Sequence, residues 1–471
     1  MLKIFNTLTR KKEIFKSIVK NKIGIYVCGV TVYDLCHLGH ARTFLIFDMI
    51  IRYLKNCNYK VNYIRNITDI DDKIILKSIQ KKESFVNFSN RMILEMNNDF
   101  SKINLLKPNF EPKVSNCINN IIKIISNLIK KKYAYIGKNG DVFFSIKKYS
   151  NYGKISNRKI NNFKKKNIFH NSLSIKKDFE DFVLWKLSKK DNEPHWSSPW
   201  GEGRPGWHIE CSAITEKYLG CEFDIHGGGI DLLFPHHENE IAQSSCFNDS
   251  FSVSYWIHTG LLVINNLKMS KSLNNSLILK DVLKKFDGDV IRFFFLSTHY
   301  RSPLEYFEEK IKKSKKSFEK IRKAVLFLNS GFFSSFNNFC NSSIIEEDNF
   351  HSAMKNDFNT PKAISVLFSI VKKINFFKKN KNLKNVFLYS FKLKELVKIL
   401  GFFTDQNVFL KDKDINEETL KKRNKKKSIA LFIKLRNKAR KQKKWDLADS
   451  FKEKLLEFGV VIEDKSYKDL K

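Results

Sequence analysis

The chain has 471 residues, enough for several domains and a large buried core. Hydrophobic residues make up 42% and charged residues 29%. That is a globular composition, and no apolar stretch reaches the ~18 residues a membrane span needs. Lys and Arg number 86 against 49 Asp and Glu, a net charge of +37, which points to a polyanionic partner. The chain is also rich in Lys, Asn, Ile and Phe and holds only 18 Gly and 8 Pro. A/T-rich codons produce that bias, so part of the charge needs no functional explanation. The first 21 residues lack the apolar core of a secretory signal. The cysteines (Cys28, Cys36, Cys57, Cys117, Cys211, Cys221, Cys246 and Cys340) show no framework spacing. A reducing cytoplasm is therefore expected, with a few thiols available as metal ligands and the others buried or incidental.

The first predicted element is a strand over Gly24–Gly29, an apolar run stopped by glycine, with Cys28 at its end. Apolar periodicity predicts a helix over Leu38–Lys55, and Lys60–Arg65 reads as a second strand. Strand, helix and strand within this span make a parallel crossover unit. Residues 85–135 are helical in pattern, broken at Pro108 and Pro112, and Gly140–Phe144 reads as a strand. Residues 154–178 are polar and lysine-rich and read as loop; Trp185–Gly229 is dense in Trp and Gly. Beyond Leu304 come lysine-laced amphipathic helices, interrupted by low-complexity Phe, Asn and Ser around 330–343. Between Lys421 and Lys444 stand 13 Lys and Arg without one acid. A charge run is usually a solvated helix face, but this imbalance favours contact with an RNA backbone.

No GxxxxGK[ST] and no GxGxxG is present, which disfavours P-loop and dinucleotide-binding folds. Gly227–Gly229 has no lysine partner and is predicted to form a tight loop. His37-Leu38-Gly39-His40 falls between the first strand and its helix. An open parallel sheet binds ligands there, at strand carboxyl ends beside a helix N-terminus. Two imidazoles can donate to phosphate oxygens, and Gly39 lets a base or ribose approach the backbone. Alone the pattern is weak, since the histidines could equally cap the helix. Lys268-Met269-Ser270-Lys271-Ser272 follows an apolar strand at Leu261–Ile264. Two ammonium groups flanking a hydroxyl suit a triphosphate whose charge shifts during reaction. KxxK is cheap in so basic a chain; the five-residue match is not, and both motifs in this order make a phosphate-binding reading strong.

HLGH with KMSKS resembles the class I aminoacyl-tRNA synthetases. Tyr26–His40, Arg65–Lys73, Phe182–Lys186, Gly203–Ala213, Phe223–Gln243, Asp357–Phe368 and the segment around Trp445–Asp464 narrow the resemblance to cysteinyl-tRNA synthetases. It runs nearly end to end. It implies an α/β fold: a Rossmann-like parallel-sheet catalytic domain with an insertion, then an α-helical bundle and a small C-terminal anticodon-binding domain. The expected boundaries are 1–117 and 207–256 for the two catalytic halves, 118–206 for the insertion, and 257–315 for the region carrying KMSKS. The bundle is expected at 316–410 and the basic C-terminal domain at 411–471. The implied activity is joining L-cysteine to tRNA(Cys) through cysteinyl-adenylate, by a monomer without a membrane partner. His37, His40, Lys268 and Lys271 would be catalytic. Gly39, Met269, Ser270 and Ser272 would join them around ATP with Mg²⁺.

The residues themselves point to a metal. His236 and Glu240 lie four apart on a predicted helix and so share a face; Cys211 begins another helix. With Cys28 they make a plausible tetrahedral Zn²⁺ set, although buried free cysteines are common. His237 competes for the role, but its fourth neighbour, Ile241, cannot bind metal. These four positions match the family's zinc ligands, and the resemblance implies one zinc per chain in the amino-acid pocket, ligated by the substrate thiolate. Zinc can separate cysteine from serine where size separates near-isosteres only about 10²-fold. Gly29, Thr68, Trp207 and Asp231 are further candidates for holding cysteine, with Thr68 as strand cap and Trp207 as core the plain alternatives. Asp69, Asp71 and Asp72 are expected to shape the fold. Val30 and Leu273-Asn274-Asn275 depart from the family pattern. Two other functions compete: a cysteine ligase of thiol biosynthesis acting on an amino sugar, and a non-catalytic RNA-binding paralogue. The basic C-terminal region argues against the first, the intact motifs against the second.

Overall fold

The computed structural model describes the chain except residues 159–174, 189–192, 265–266, 269–276, 327–341, 404–428, 430–431, 443, 459 and 461–471. A four-stranded parallel sheet organises the N-terminal half. It contains β3 (Lys22–Thr31), β4 (Lys60–Thr68), β9 (Glu222–Gly229) and β10 (Ser252–Thr259), in the order β10-β9-β3-β4. Two short strands, β1 (Lys3–Asn6) and β2 (Lys11–Ile14), form a separate antiparallel ribbon. The crossover from β3 runs through helix α1 (Leu38–Asn56) to β4. The crossover from β9 runs the other way, through α6 (Glu238–Phe247), to β10. The order therefore reverses between β3 and β9, where open α/β sheets leave a crevice beyond their strand ends.

Successive side chains of β3 serve opposite faces. Ile23, Ile25 and Val27 join the core around α1, whereas Tyr26 and Cys28 face the core built around α4 (Ile118–Lys130), α5 (Ile209–Leu219) and α6. A central parallel strand covered on both sides reads as the continuous apolar run seen in the sequence. Helix α1 is apolar on nearly every side: Leu45, Ile46, Phe47, Met49, Ile50, Tyr53 and Leu54 are all fully buried, as befits a helix inside a core.

Two expectations need correction here. Strand β3 does not end at Cys28 but continues to Thr31, with its pairing to β4 shifted between Val27 and Val30. Gly29 sits in that irregularity because a Cβ there would fall 1.6 Å from the Asn66 carbonyl oxygen. Gly227–Gly229 is not a loop but the end of β9. A Cβ on Gly227 would lie 2.1 Å from the Phe47 ring of α1, so glycine lets the buried helix close on the sheet.

Antiparallel strands Ala134–Ile136, Val142–Phe144, Phe182–Leu187 and Gly203–Pro205 form a second sheet within the stretch between α4 and α5. Buried Glu238 ties this region to α6, accepting from the Gly153 and Ser156 amides at 2.8 and 3.0 Å. Further on lie β11 (Leu262–Ile264), β12 (Leu267–Lys268), α7 (Leu279–Lys285), α8 (Gly288–Leu296) and β13 (Leu304–Glu305). The helices Glu308–Leu326, Ile345–Lys355, Thr360–Lys379 and Leu383–Ile399 then pack as a bundle. Residues 432–441 are helical, and Phe432 packs with Phe387 and Leu455 of the helix Trp445–Glu457. Among the described residues no helix is long and apolar enough to cross a membrane. Most of the low-complexity stretch 330–343 falls outside the described residues, as do residues 421–428, 430–431 and 443 of the basic run.

Candidate active site

A cavity of about 540 Å³ opens at the sheet's switch point, lined by Cys28, Gly29, His37, Gly39, His40, Trp207, Asp231 and the wall Thr259–Leu262. His37 is the N-cap of α1. The His40 amide donates to its Nδ1 at 3.2 Å, and the His37 amide donates to His40 Nδ1 at 3.4 Å. The rings stack 3.7 Å apart. Capping and ligand contact, set as alternatives from sequence, are thus compatible: each Nδ1 serves the backbone, and both rings line the cavity.

Cys28, Cys211, His236 and Glu240 meet behind this cavity, all buried, with donor atoms within 4.8 Å of one another. Cys28 Sγ to Cys211 Sγ is 3.9 Å, Cys211 Sγ to His236 Nε2 is 3.4 Å, and Cys28 Sγ to Glu240 Oε1 is 3.4 Å. His236 Nε2 and Glu240 Oε1 are 3.0 Å apart, one helical turn from each other. Tetrahedral zinc bonds sulfur at about 2.3 Å and nitrogen or oxygen at about 2.0–2.2 Å, which sets its donors about 3.8 Å (S–S), about 3.5 Å (S–N, S–O) and about 3.4 Å (N–O) apart. The cluster is close to that shape, so the residues fit the ion.

Electrostatics agree with the geometry. Burial opposes ionisation of Glu240, yet His226 and His236 hold its carboxyl well below the usual range. Burial also works against charge on His236, but Glu240 and Cys211 lift it to about 10. Cys211 is pulled down to about 6, against burial, by its hydrogen bond with Cys28 and by His236; Cys28 is pushed up by burial and by Cys211. Protons on Cys28 and His236 therefore hold the set together, and a divalent cation can take their place.

His208, His226 and His258 were not foreseen at the site, and His237 was considered only as a competing ligand. His226 Nε2 bonds Glu240 Oε2 at 2.8 Å, and His208 Nδ1 meets His236 Nδ1 at 2.9 Å. These are the outer contacts that fix the orientation of metal-binding groups. His237 Nε2 lies 3.3 Å from Cys28 Sγ, and its Nδ1 shares a 2.8 Å bond with His258 Nε2. Burial drives His208 and His237 down and His258 to about 3, so all three are neutral at neutral pH. For His226 and His258 the sequence signal was a histidine inside an otherwise apolar strand, whereas His208 and His237 stand just before α5 and α6.

Thr68 ends β4 and lies outside the cavity lining, its hydroxyl donating to buried Glu210 at 2.6 Å. Burial raises the Glu210 carboxyl well above its usual range. Trp207 is not core: it is 42% exposed, with its ring 4.5 Å from that of His236. Asp231 folds over Gly229, where a Cβ would lie 2.4 Å from its Oδ1. Asp69 accepts from Ser115, Asp71 caps the helix Asp72–Lys81, and Asp72 pairs with Lys186 and Arg204. Lys268 ends β12; Met269, Ser270, Lys271 and Ser272 lie outside the described residues, as do Asn274 and Cys340. Cys36, Cys117 and Cys246 are buried, Cys57 and Cys221 only partly, and none of them is in a disulfide.

Residues 14–316 match the family described as "tRNA synthetases class I (C) catalytic domain", and residues 349–404 match the "DALR domain". The chain is 49% identical to the cysteine–tRNA ligase of Buchnera aphidicola subsp. Acyrthosiphon pisum (strain APS), over 98% of this chain and 97% of that one. It is 47% identical to that of Haemophilus influenzae (strain PittGG), over 98% of each. Among solved structures, it is similar in fold to Mycobacterium tuberculosis methionyl-tRNA synthetase in complex with methionyl-adenylate. The TM-score there is 0.56 at 11% identity, covering 80% of this chain and 90% of that one. For Agrobacterium radiobacter K84 agnB2 LeuRS the TM-score is 0.59 at 11% identity, covering 82% and 84%.

Proposed function

The chain belongs to the cysteine–tRNA ligases among the class I aminoacyl-tRNA synthetases, and from that premise we propose how its residues divide the work. The carrying observation is one cavity with HLGH imidazoles on one wall and a buried Cys28–Cys211–His236–Glu240 cluster behind another. Cysteine sits at the cluster end, against Gly29, Trp207 and Asp231, with Thr68 behind them supporting Glu210. Its carboxylate oxygen attacks the α-phosphorus of ATP; the bond to the β-phosphate bridging oxygen breaks and pyrophosphate leaves. The carboxylate is already ionised, so the protein's part is positioning and charge stabilisation. His37 and His40 hold the α-phosphoryl group, with Gly39 leaving room for the nucleotide. Lys268 and Lys271, in the segment Lys268–Ser272, take the pyrophosphate charge, with Mg²⁺ accompanying ATP. The ribose 2′-hydroxyl at the tRNA terminus then attacks the carbonyl carbon of the adenylate; the bond from that carbon to the phosphate oxygen breaks, and AMP leaves as the hydroxyl proton passes to its phosphate. One zinc per chain, held by Cys28, Cys211, His236 and Glu240, supplies a Lewis acid that prefers a thiolate to a hydroxyl.

The same reading keeps the domain division at 118, 207, 257, 316 and 411, makes the enzyme a monomer, and assigns it to the cytoplasm, which suits seven described cysteines outside any disulfide. A sugar ligase has no use for the bundle and basic tail, and the relatives matched across 98% of the chain are tRNA ligases.

The test is cysteine-dependent ATP–pyrophosphate exchange with serine as control and zinc measured on the same sample. Exchange with cysteine alone, at one zinc per chain, is expected; equal exchange with serine, or a zinc-free active enzyme, removes the metal from the reading. A second expectation concerns the tail. Lys434, Lys438 and Lys441 are exposed and share a face of the helix at 432–441. Changing all three to Gln should weaken tRNA binding and reduce its log-log salt slope by up to about 2–3. Exchange without tRNA should hold; loss of both would assign the helix to folding instead.

A further inference from the structure

Arg42 lies two residues beyond His40 on α1 and is 1% exposed. Among the described residues no carboxylate pairs with it. Instead its guanidinium donates to three backbone carbonyls: Gly260 at 2.8 Å, Leu261 at 2.6 Å and Ser302 at 2.5 Å. Its Nε has no partner. A buried cation satisfied only by carbonyl dipoles is costly, and an apolar side chain would fill the same space more cheaply. Its presence needs a reason beyond packing.

The three carbonyls supply one. Gly260 and Leu261 connect β10 to β11 and line the same cavity as HLGH. Ser302 precedes β13, which pairs with β11. The two segments touch: the Gly260 amide donates to the Tyr300 carbonyl at 2.8 Å, and a Cβ on Gly260 would lie 2.4 Å from the Ser302 oxygen. The far segment is itself anchored to the bundle, since Tyr300 OH and Arg301 Nε both donate to buried Asp357, at 2.7 and 2.9 Å. Arg42 thus fastens the helix carrying His37 and His40 to the Gly260–Leu261 wall of the cavity and, through it, to a fixed point in the bundle. With cysteine at the metal end and the α-phosphoryl group at HLGH, the Thr259–Leu262 wall is left for the nucleoside.

We propose that Arg42 is a positioning residue for ATP: it sets the spacing between the HLGH imidazoles and the Gly260–Leu261 wall, and so the seat of the nucleoside relative to the reacting phosphorus. The inference rests on the ATP site proposed above. A guanidinium fork is needed because one planar group must reach three carbonyls; a lysine ammonium keeps the charge but cannot hold the same geometry.

The test compares Arg42→Lys with the unaltered enzyme in cysteine-dependent ATP–pyrophosphate exchange. Arg42→Lys should stay folded and keep one zinc per chain. Its kcat/KM for ATP should fall about tenfold or more while KM for cysteine stays within about twofold. Ile370→Ala, a bundle core truncation, lowers stability without moving the ratio of the two constants, and so separates positioning from lost stability. Gly260→Ala presses on the Ser302 carbonyl, one of the three that Arg42 holds, and should reproduce the ATP-selective loss. Equal change in both constants, or none, in folded and zinc-loaded Arg42→Lys overturns the proposal. So does failure of both Arg42→Lys and Gly260→Ala to fold, since a positioning role requires a folded enzyme that handles ATP badly. An unaltered enzyme that shows no exchange at all overturns the ATP reading first and this inference with it.

Discussion

Cys211→Ser is expected to yield a folded enzyme with well under one zinc per chain and a kcat/KM for cysteine lowered by more than about 10²-fold. Losing an outer-contact residue already costs about 10–100-fold in metal affinity, and a direct ligand should cost more. The thiolate is the binding form, and a serine hydroxyl stays protonated where a thiol ionises. Cys211 Sγ lies 3.9 Å from Cys28 Sγ and 3.4 Å from His236 Nε2, so it borders two of the other three donors. Its removal leaves Cys28, His236 and Glu240 as three corners without the fourth. ATP affinity, carried by the HLGH side of the cavity, should change little. The preference for cysteine over serine should shrink toward the ~10²-fold or less that shape alone provides. Zinc analysis and exchange with both amino acids check this on one preparation. Full zinc in Cys211→Ser would replace this ligand set, and the second buried group, Cys28, His226 and His237, would be the one to examine.

Local pattern was enough to find β3, α1 and β4, because each carries its own periodicity and α1 opens with its own cap. It failed at Gly227–Gly229 because what those glycines meet comes from other segments: the Phe47 ring of α1 fills the space beside Gly227, the His237 ring that beside Gly228 and the Asp231 carboxylate that beside Gly229. The end of β3 was misjudged for a similar reason. Gly29 looked like a terminator, whereas it lets the strand pass the Asn66 carbonyl and continue. At the candidate site, the His236–Glu240 spacing was readable on a helix, and Cys211 and Cys28 were singled out by chemistry and resemblance. What no spacing announces is which buried imidazole bonds which ligand. His226 reaches Glu240 only because β9 runs beside α6, and His258 reaches His237 only because β10 pairs with β9. Arg42 was invisible for the same reason, as its three partners are backbone oxygens from distant segments.

Asp48→Ala should destabilise the protein by about 3–5 kcal/mol, because it strands a buried cation. Asp48 Oδ2 bonds Arg292 at 2.6 Å and Arg52 at 2.8 Å, while its Oδ1 accepts the Leu106 amide at 2.7 Å. Arg292 is fully buried and donates also to the carbonyls of Ile103, Asn104 and Leu400. One ion pair therefore joins α1, the segment after helix Phe85–Lys102, α8 and the end of helix Leu383–Ile399. Gly401 is drawn into the same knot: its φ is +81°, and a Cβ there would lie 2.4 Å from the Arg292 guanidinium. Truncating the acid leaves the guanidinium uncompensated, and carbonyl dipoles alone do not replace a charge. Removing both charges is a different experiment. Asp48→Leu with Arg292→Met replaces the pair with apolar volume, and such replacements are often neutral or stabilising. The double variant should therefore lose less stability than Asp48→Ala alone, and a double-mutant cycle on denaturant midpoints measures the coupling. If the double variant is instead the less stable, the carbonyl bonds of Arg292 matter more than its charge pair. The knot would then hold through the geometry of the guanidinium rather than through electrostatic balance.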